Sequence, residues 1–339
     1  MGRSDGRPAR ADVRVTLLVT LLLLVLTDLG LAAWQPRPER LPTHFSSRYL
    51  ERYAVGQTAG AGLLILGDSE LWGYGLTPAQ SPAGQLSRAL NGARVANLAY
   101  EAQTPINADF VVRFLLSRGV RPRAVLVELN AASFNQTAAA YDRLNPALAD
   151  LAIPSLLEPF DAGRLDDAQR RRTETVGDRL NRFVAAHWLL YGSRLDLHQA
   201  LFGDADLVSA IYARVRPLLQ PPARGGAPYA AMYDLTPLDD ANVSFAYAEH
   251  LLETLRRAAI PAVVVLPPIN HALLHPYVDN AAYRANLGRL AALARAHGAG
   301  VVDLDGLLSG RDFIDNTHVT PRGAARFAHA LLSSVGRVL

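Results

Sequence analysis

The sequence predicts an α/β fold in which helices cover both faces of a parallel sheet. Short apolar runs typical of buried strands alternate with segments that carry helix caps, and parallel strands need such crossover connections. Half of the 339 residues are hydrophobic and only 19% are charged, a composition that supports a sizeable folded core. The alternation stops between about 138 and 241, where we predict a mostly helical insertion.

Five short apolar runs are predicted to be strands. They cover residues 62–67, 94–97, 124–129, 262–266 and 300–304. Helices are predicted to begin at Ser81, Thr104 and Thr320, because each stands directly before a proline and so combines an N-cap with a favoured first helical residue. Further helices are predicted near 242–258 and 281–296.

An N-terminal transmembrane helix is predicted from charge and hydropathy. Arginines in residues 1–14 precede an apolar run at 15–34 that holds Asp28 near its far end. About 20 apolar residues span a bilayer as a helix, and positive charge before the span places the N-terminus in the cytoplasm. We therefore predict a single-pass protein of the cytoplasmic membrane. A signal peptide cleaved near 31–33 is the competing interpretation.

The predicted organisation has four parts. Residues 1–14 form a basic cytoplasmic tail, 15–34 a signal anchor, 35–60 a polar stalk and 61–339 the α/β domain with its insertion. If the anchor is retained, this last domain lies outside the membrane, in the periplasm or the extracellular space.

Residue types that are missing narrow the possible chemistry. The 34 positions counted as lysine or arginine are all arginine, which excludes Schiff-base lysines, and the lack of cysteine excludes thiol nucleophiles and thiolate metal sites. The arginines are dispersed, so no nucleic-acid partner is predicted. His271 and His275 have the spacing of a helical pair, but no third ligand accompanies them, and we expect neither a metal nor a cofactor.

A candidate nucleophile follows the first predicted strand. Gly67-Asp68-Ser69 comes at the end of this strand, and parallel sheets form their sites beyond the carboxyl ends of strands. A helical turn beginning at Ser69 would direct backbone N–H groups and partial positive charge toward its hydroxyl, which suits a nucleophile and its oxyanion. Taken alone, Gly-Asp-Ser most often marks an ordinary turn.

A candidate base and its orienting carboxylate lie after the last predicted strand. Asp315 and His318 are three residues apart on the loop that leads into the final helix. That spacing lets the carboxylate hydrogen-bond one ring nitrogen and leaves the other to accept a proton from serine. Ser69 and this pair fall on the same edge of the inferred sheet, so we predict that they meet as a catalytic triad.

Donors for an oxyanion hole are predicted at two further strand ends. Ala99 follows the second strand and Asn130 follows the third. Together with the N–H of Ser69, the N–H of Ala99 and the side-chain amide of Asn130 would supply three donors to a developing negative charge. Asn130 is also a typical residue for capping a turn, which is the alternative interpretation.

This arrangement resembles the SGNH, or GDSL, hydrolase superfamily. The four sequence blocks of that superfamily correspond here to 67–69, 97–99, 128–130 and 315–318. Ala99 stands where the second block usually has glycine, and the third block lacks the glycine and aspartate that usually flank its asparagine. The resemblance implies a three-layer α/β/α sandwich with five parallel strands, which is flavodoxin-like, and a Ser/His/Asp triad.

Within the superfamily, the chain is similar to membrane-anchored envelope members. Ser69-Glu70-Leu71, the turn at 267–270 and the N-terminal anchor resemble the D-alanine transfer protein of lipoteichoic acid synthesis. The topology is also similar to that of alginate O-acetylation enzymes. The resemblance implies an acylated polysaccharide or envelope polymer as substrate, and a membrane-bound acyl-transfer partner.

Further substrate-binding residues are expected beside the nucleophile and after the fourth strand. The candidates are Asp68, Glu70, Trp72, Asn270 and His271. Trp72 is a candidate aromatic wall for a sugar or an acyl group, with packing in the core as its alternative role.

The sequence therefore predicts an SGNH-type serine esterase or O-acyltransferase that acts on a cell-envelope polysaccharide or polymer through an acyl-enzyme on Ser69. Water as the acceptor gives an esterase and a sugar hydroxyl gives an O-acyltransferase, but the chemistry up to the acyl-enzyme is the same. The alternative is a catalytically inactive, anchored scaffold that binds glycan or an envelope-assembly partner. The atypical second and third blocks favour the scaffold, whereas the complete Ser/Asp/His set favours the enzyme.

Overall fold

The computed structural model describes residues 10–33, 40–41, 47–90, 93–135, 144–145, 148, 156–165, 180, 183–184, 188–192, 230–235 and 237–339. Most of the predicted insertion at 138–241 and the start of the predicted basic tail lie outside the described residues.

The described strands form one five-stranded parallel sheet, which confirms the predicted fold class. They are β1 (Leu63–Leu66), β2 (Val95–Asn97), β3 (Ala124–Glu128), β4 (Ala262–Leu266) and β5 (Gly300–Asp303). Their order across the sheet is β2-β1-β3-β4-β5, and every neighbouring pair runs parallel. This strand order is the flavodoxin-like arrangement.

Helices flank the sheet on both faces. They are α1 (Arg10–Ala33), α2 (Ser47–Thr58), α3 (Ser69–Trp72), α4 (Pro82–Ala89), α5 (Pro105–Ser117), α6 (Leu189–Gly192), α7 (Val243–Arg257), α8 (His271–Val278), α9 (Ala281–Ala296) and α10 (Pro321–Gly336). Helix α7 packs against α5 and against α9, and α4 packs against α10. The predicted caps are confirmed, because the hydroxyls of Ser81, Thr104 and Thr320 accept hydrogen bonds from backbone N–H groups in the first turns of their helices.

The three central strands are buried along their whole length because helices cover both faces of the sheet. Every residue of β1, β3 and β4 is buried, which explains their almost continuous apolar sequences. Burying one Leu, Val or Ile side chain contributes about 1.5–3 kcal/mol relative to exposing it. These strands therefore give the loops at their ends a stiff support.

The order of the strands reverses at β1. From β1 the chain moves outward to β2 and then returns across β1 to β3, so a crevice opens between the carboxyl ends of β1 and β3. Ser69 begins α3 just beyond β1, and Asn130 caps the short turn just beyond β3. The topology therefore brings these two residues to the same crevice.

Part of the predicted polar stalk belongs to the folded domain. Helix α2 occupies Ser47–Thr58, inside the predicted stalk at 35–60, and its Leu50 and Ala54 are each 1% exposed. Leu41 is fully buried as well. The stalk prediction is wrong for these residues, because a helix with apolar side chains on one face only can still have a polar overall composition.

Helix α1 contains the predicted membrane span. Its window Val13–Gly30 has a mean hydropathy of 2.0, and none of it is buried inside the protein. The 24 residues of α1 make a helix about 36 Å long, which is enough to cross the hydrocarbon core of a bilayer. An apolar helix at this end of the chain serves either as a membrane anchor or as a signal sequence.

A buried ionic cluster fastens the segment around Asp161 to helices α5 and α7. Arg113 on α5 makes two hydrogen bonds to Asp161, at 2.9 and 3.0 Å, and an ion pair with Asp109 at 2.8 Å. On α7, Tyr247 donates to Asp161 at 2.7 Å, and His250 Nδ1 lies 2.9 Å from Asp109. The Arg113 side chain is only 4% exposed, so this guanidinium depends on the carboxylates around it.

Replacing Arg113 by methionine is expected to destabilise the protein by about 3–5 kcal/mol, because two buried carboxylates lose their counter-ion. Chemical unfolding of the full chain in detergent measures this loss. Arg118→Met is the matched control, since Arg118 follows the same helix but pairs with Glu51 at the surface, where an ion pair contributes about 0–1 kcal/mol. Equal losses for the two variants would show that the cluster does not stabilise the fold.

Candidate active site

The turn after β1 presents Ser69 at the start of the four-residue helix α3. Asp68 is the N-cap, and Gly73 ends the helix in a left-handed conformation with φ at 87°. Arg40 binds the C-terminal end of α3 by donating to the carbonyls of Trp72 and Gly73, at 3.0 and 2.9 Å. The helix that carries Ser69 is therefore held at both ends.

Glycine is required at position 67 by a close approach of side chains. A Cβ at Gly67 would collide with the carboxylate of Glu128 and with Leu71. Glu128 Oε2 lies over the turn and accepts a hydrogen bond from the N–H of Asp68 at 2.9 Å. The first residue of Gly-Asp-Ser thus allows the end of β3 to contact the nucleophile turn.

Ser69, His318 and Asp315 form a hydrogen-bonded chain. His318 Nε2 lies 3.0 Å from Ser69 Oγ, and His318 Nδ1 lies 2.7 Å from Asp315 Oδ2. Asp315 Oδ1 accepts from the backbone N–H groups of Thr317 and His318 at 2.9 and 2.8 Å, which orients the carboxylate. Because Nδ1–H is donated to Asp315, Nε2 is the acceptor for the serine proton. The structure therefore contains the predicted proximity of these three side chains.

The surroundings of His318 make its imidazole more basic. Burial lowers the pKa of His318, but the hydrogen bond to Asp315 and the charges of Glu70 and Asp315 outweigh burial and raise this pKa above its usual value. Burial raises the pKa of Asp315, but hydrogen bonds from His318 and Thr317 lower it by more, so the net shift is downward. Asp315 is therefore ionised and stabilises a protonated His318.

Glu70 lies buried beside the nucleophile. Its Oε2 is 3.4 Å from Ser69 Oγ, and its Oε1 accepts hydrogen bonds from Thr317 Oγ1 and, at 2.6 Å, from Asn130 Nδ2. The residue is 1% exposed. Glu70 therefore connects the turn after β1, the end of β3 and the loop that carries His318.

Glu70 belongs to a cluster of three buried carboxyl groups with Asp68 and Glu128. Burial is the main cause of a raised pKa in all three. Burial and the charge of Glu70 raise the pKa of Asp68 to about 8, and the same two causes raise the pKa of Glu128 well above its usual value. Like charges in one buried cluster disfavour joint ionisation, so the cluster retains protons at neutral pH.

Two of the predicted oxyanion donors are bound to neighbouring side chains. The Ser69 N–H donates to Asp68 Oδ1 at 2.6 Å, and the Ala99 N–H donates to Asn97 Oδ1 at 3.1 Å. Ala99 is fully buried, and its N–H serves the turn after β2. The structure therefore does not support Ala99 as an oxyanion donor.

Asn130, the third predicted donor, does cap a turn. Its Oδ1 accepts from the Ala132 N–H at 2.9 Å, and its Nδ2 donates to Glu70. The Tyr233 hydroxyl lies 3.4 Å from Asn130 Oδ1 and 3.4 Å from Thr317 Oγ1. Since Nδ2 carries two hydrogens, the bond to Glu70 leaves one of them for a bound oxygen.

Ala102 is a donor that sequence reasoning missed. Its N–H donates to Asp68 Oδ1 at 2.6 Å, so Ser69 and Ala102 direct two backbone N–H groups at one carboxylate oxygen. Ala102 has a φ of 60°, a left-handed conformation that is strained for alanine and frequent at functional sites. Two convergent N–H groups directed at one oxygen are the arrangement that an oxyanion needs. An alanine at position 102 does not predict this left-handed conformation from the sequence.

Asp68, Glu70 and Trp72, which were expected to bind substrate, make contacts with protein groups. Asp68 and Glu70 make their hydrogen bonds to protein groups of the site. Trp72 is 3% exposed, packs under the Arg40 guanidinium at 3.9 Å and donates Nε1–H to the Leu41 carbonyl at 2.7 Å. The expectation of an aromatic wall at Trp72 is wrong, because residues 40 and 41 cover this side chain.

Tyr74 supplies an aromatic surface two residues further on. Its ring stacks on His318, with 4.3 Å between centroids and 29° between planes, and the residue is 42% exposed. Ile314, which is 53% exposed, lies against Gly75 on the same side of the site. This apolar rim next to His318 suits an acyl group or the face of a sugar ring.

Asn270 positions the loop that carries the base, instead of lining the cleft as expected. Its Nδ2 donates to the Asp315 carbonyl at 2.9 Å, and its N–H donates to the Asn316 carbonyl at 3.0 Å. The residue is 4% exposed. Asn270 follows β4, so it holds the loop with Asp315 and His318 over the end of that strand.

His271 is bound by two carboxylates at the start of α8. Its Nε2 lies 2.9 Å from Asp305 and its Nδ1 lies 3.3 Å from Asp279, so it connects α8 to the loop after β5. This pairing does not support the expected role of His271 in the cleft. Within the described ranges, no three His, Asp or Glu side chains are grouped so as to hold a metal ion.

Comparisons with known proteins find similarity only at low sequence identity. No family model and no curated protein matches the chain. The chain is similar to a solved structure assigned to the lipolytic G-D-S-L family from Desulfitobacterium hafniense DCB-2, at 11% identity over 82% of this chain and 98% of that chain, with a TM-score of 0.35. A member of the lipolytic G-D-S-L family from Veillonella parvula DSM 2008 has 10% identity over 81% of this chain and 98% of that chain, with a TM-score of 0.40.

The fold and the site together define a flavodoxin-like α/β protein with a Ser–His–Asp chain at the crevice of its sheet.

Substituting Glu70 by glutamine is expected to move the acid limb of the pH–activity profile to lower pH. The charge of Glu70 raises the pKa of His318, and His318 accepts a proton only when it is neutral. Without that charge His318 loses its proton at lower pH. The measurement is kcat/KM for a small ester as a function of pH.

Glu101→Gln, at an exposed position after β2, is the control and should leave the acid limb in place. An unchanged limb in Glu70→Gln would mean that Glu70 does not influence His318.

Ala102→Gly is expected to stabilise the protein by about 0.5–1 kcal/mol, because glycine adopts a positive φ without the strain that alanine has. Ala292→Gly, at an exposed position inside α9, is the control and should destabilise the protein by about 1 kcal/mol. Thermal unfolding of both variants measures the difference. A loss of stability in Ala102→Gly as large as in the control would refute the strained conformation.

Proposed function

We propose that this chain is a serine-dependent acyl ester hydrolase or O-acyltransferase that works through an acyl-enzyme on Ser69. The observation that supports the proposal is the chain of hydrogen bonds from Ser69 Oγ to His318 Nε2, at 3.0 Å, and from His318 Nδ1 to Asp315, at 2.7 Å. A serine needs an adjacent base to become a nucleophile, and the base needs a third group that orients it.

The proposed reaction proceeds in two halves. Ser69 Oγ attacks the carbonyl carbon of the ester while His318 takes the serine proton, and the carbonyl oxygen becomes an oxyanion. When the intermediate collapses, His318 gives this proton to the leaving alcohol, and Ser69 is left acylated. Water or a sugar hydroxyl then attacks the acyl-enzyme, its proton passes through His318, and Ser69 regains its hydroxyl.

In this proposal, the oxyanion binds to the N–H groups of Ser69 and Ala102 and to the second amide hydrogen of Asn130. Asp68 Oδ1 occupies this place in the structure, with both backbone bonds at 2.6 Å, so the substrate carbonyl has to displace it. The raised pKa of Asp68, about 8, favours a neutral carboxyl group at lower pH. A neutral carboxyl group is a weaker acceptor than a carboxylate, which makes the displacement less costly.

We further propose that the substrate or the acceptor is an acylated polysaccharide or another polymer of the cell envelope. The apolar helix α1 supports this, since it suits attachment of the domain to a membrane. The exposed ring of Tyr74 over His318 offers a stacking surface to a sugar. In the O-acyltransferase version, a membrane-bound partner supplies the acyl group.

One observation favours the alternative, a catalytically inactive scaffold that binds glycan or an envelope-assembly partner. The convergent N–H groups of Ser69 and Ala102 are both bound to the carboxylate of Asp68. If Asp68 never leaves them, no oxyanion is stabilised and Ser69 is not acylated.

Labelling of the full chain with a fluorophosphonate probe distinguishes the two. The wild type should be labelled, and Ser69→Ala and His318→Ala should not, because the probe reacts only with an activated serine. Hydrolysis of a small acyl ester should fall by at least about 10³-fold in both variants. Ser117→Ala, at the exposed end of α5, should behave as the wild type.

A folded wild type that takes no label would reject the enzyme and favour the scaffold, and glycan binding would then be measured directly. For a labelled enzyme, an oligosaccharide acceptor added to the acyl-enzyme separates the two activities. Acylated oligosaccharide identifies an O-acyltransferase, and free acid alone identifies a hydrolase.

A further inference from the structure

Apolar side chains of one short region are exposed to solvent. Leu180 is 61% exposed, Phe183 60% and Trp188 39%, and Tyr191 stacks on Trp188 with 6.1 Å between ring centroids. We call Leu180, Phe183, Trp188 and Tyr191 the aromatic patch. The described residues 180, 183–184 and 189–192 are helical, and Trp188 directly precedes α6. Exposed apolar groups in this number usually mark a contact surface.

The aromatic patch lies beside one end of the candidate membrane span. Leu190, between Trp188 and Tyr191, donates its N–H to Asp28 Oδ1 at 2.6 Å, and α6 packs against α1. Asp28 is two residues from the end of the apolar window Val13–Gly30. If α1 crosses a bilayer, the patch is therefore held at the level where the hydrocarbon ends and the headgroups begin.

The residue types of the patch match this level of a bilayer. Trp and Tyr concentrate at membrane interfaces, because their rings bury in the acyl boundary while their polar groups reach water. Leu and Phe add apolar area, as in helices that lie flat in the interface.

A short connection also restricts the domain to the neighbourhood of the membrane. Helix α1 ends at Ala33, and Arg40 is already bound to the carbonyls at the end of α3. Seven residue steps separate the two, and a fully extended chain of that length covers about 25 Å. While Arg40 stays bound, the helix that carries Ser69 remains within this distance of the end of the span, extended by the length of the Arg40 side chain.

We propose that the aromatic patch inserts into the headgroup region of the bilayer that α1 crosses, so that the domain rests on the membrane surface instead of moving freely on a stalk. The partner of this surface is lipid. The proposal requires α1 to be retained as an anchor, but it does not depend on the chemistry at Ser69.

The natural lack of cysteine makes the test direct. The full chain is prepared with Phe183→Cys or Leu180→Cys, spin-labelled and reconstituted in nanodiscs of phosphatidylethanolamine and phosphatidylglycerol with one copy per disc. The control is Arg257→Cys on α7, whose side chain is 71% exposed. Accessibility of each label to molecular oxygen, which concentrates in lipid, and to a water-soluble nickel complex reports its environment.

The proposal expects a severalfold higher ratio of oxygen to nickel accessibility at positions 180 and 183 than at position 257. Ratios equal to the control would show that the patch is in water and would overturn the proposal. Labels shielded from both reagents would overturn it as well, because protein would then cover the patch.

Native fluorescence provides a second measurement without cysteine variants. Brominated lipids should quench tryptophan emission more strongly in Trp34→Phe than in Trp34→Phe/Trp188→Phe, because Trp34 adjoins the predicted span and has to be removed, whereas Trp72 is buried in the domain. Equal quenching in the two proteins would place Trp188 outside the lipid.

Discussion

The hydrogen bond between His318 and Ser69 is the contact on which the candidate site depends. The two residues are 249 positions apart, and His318 follows β5, which is separated from β1 by β3 and β4. The loop after β5 therefore has to cross the ends of these strands to reach Ser69. Asn270 fixes its backbone beyond β4, and Thr317 binds Glu70 beside the nucleophile. These hydrogen bonds hold the loop of His318 in place, so that His318 lies within hydrogen-bond distance of Ser69 at the crevice of the sheet.

Buried carboxyl groups act on this site in two opposite directions. The charge of Glu70 makes His318 a stronger base, which helps proton abstraction, whereas any negative charge beside Ser69 opposes the formation of an oxyanion. Burial raises the pKa values of Asp68, Glu70 and Glu128, so these groups are partly protonated. This partial protonation reduces the negative charge that opposes the oxyanion. The cost of burying such a cluster is substantial, so its presence points to a role at the site beyond stability.

Much of the fold and part of the site were predictable from the sequence. The strands and helix caps appeared close to their predicted places, because apolar runs and residues such as Ser81 and Thr320 express local preferences of the backbone. The proximity of Ser69 to His318 followed from the general position of sites in parallel sheets. The stalk prediction failed at α2, whose buried side is recognisable only when the rest of the domain is in place against it.

Residue type and spacing along the chain were enough to predict the fold class, the apolar N-terminal helix and the candidate triad. The tertiary structure sets which N–H groups converge near Ser69, because the left-handed φ of Ala102 comes from its contacts and not from a preference of alanine. It also decided that Trp72 is buried while Tyr74 faces His318. Accessibility and donor direction arise from segments that are distant in sequence, and a local pattern carries no information about them.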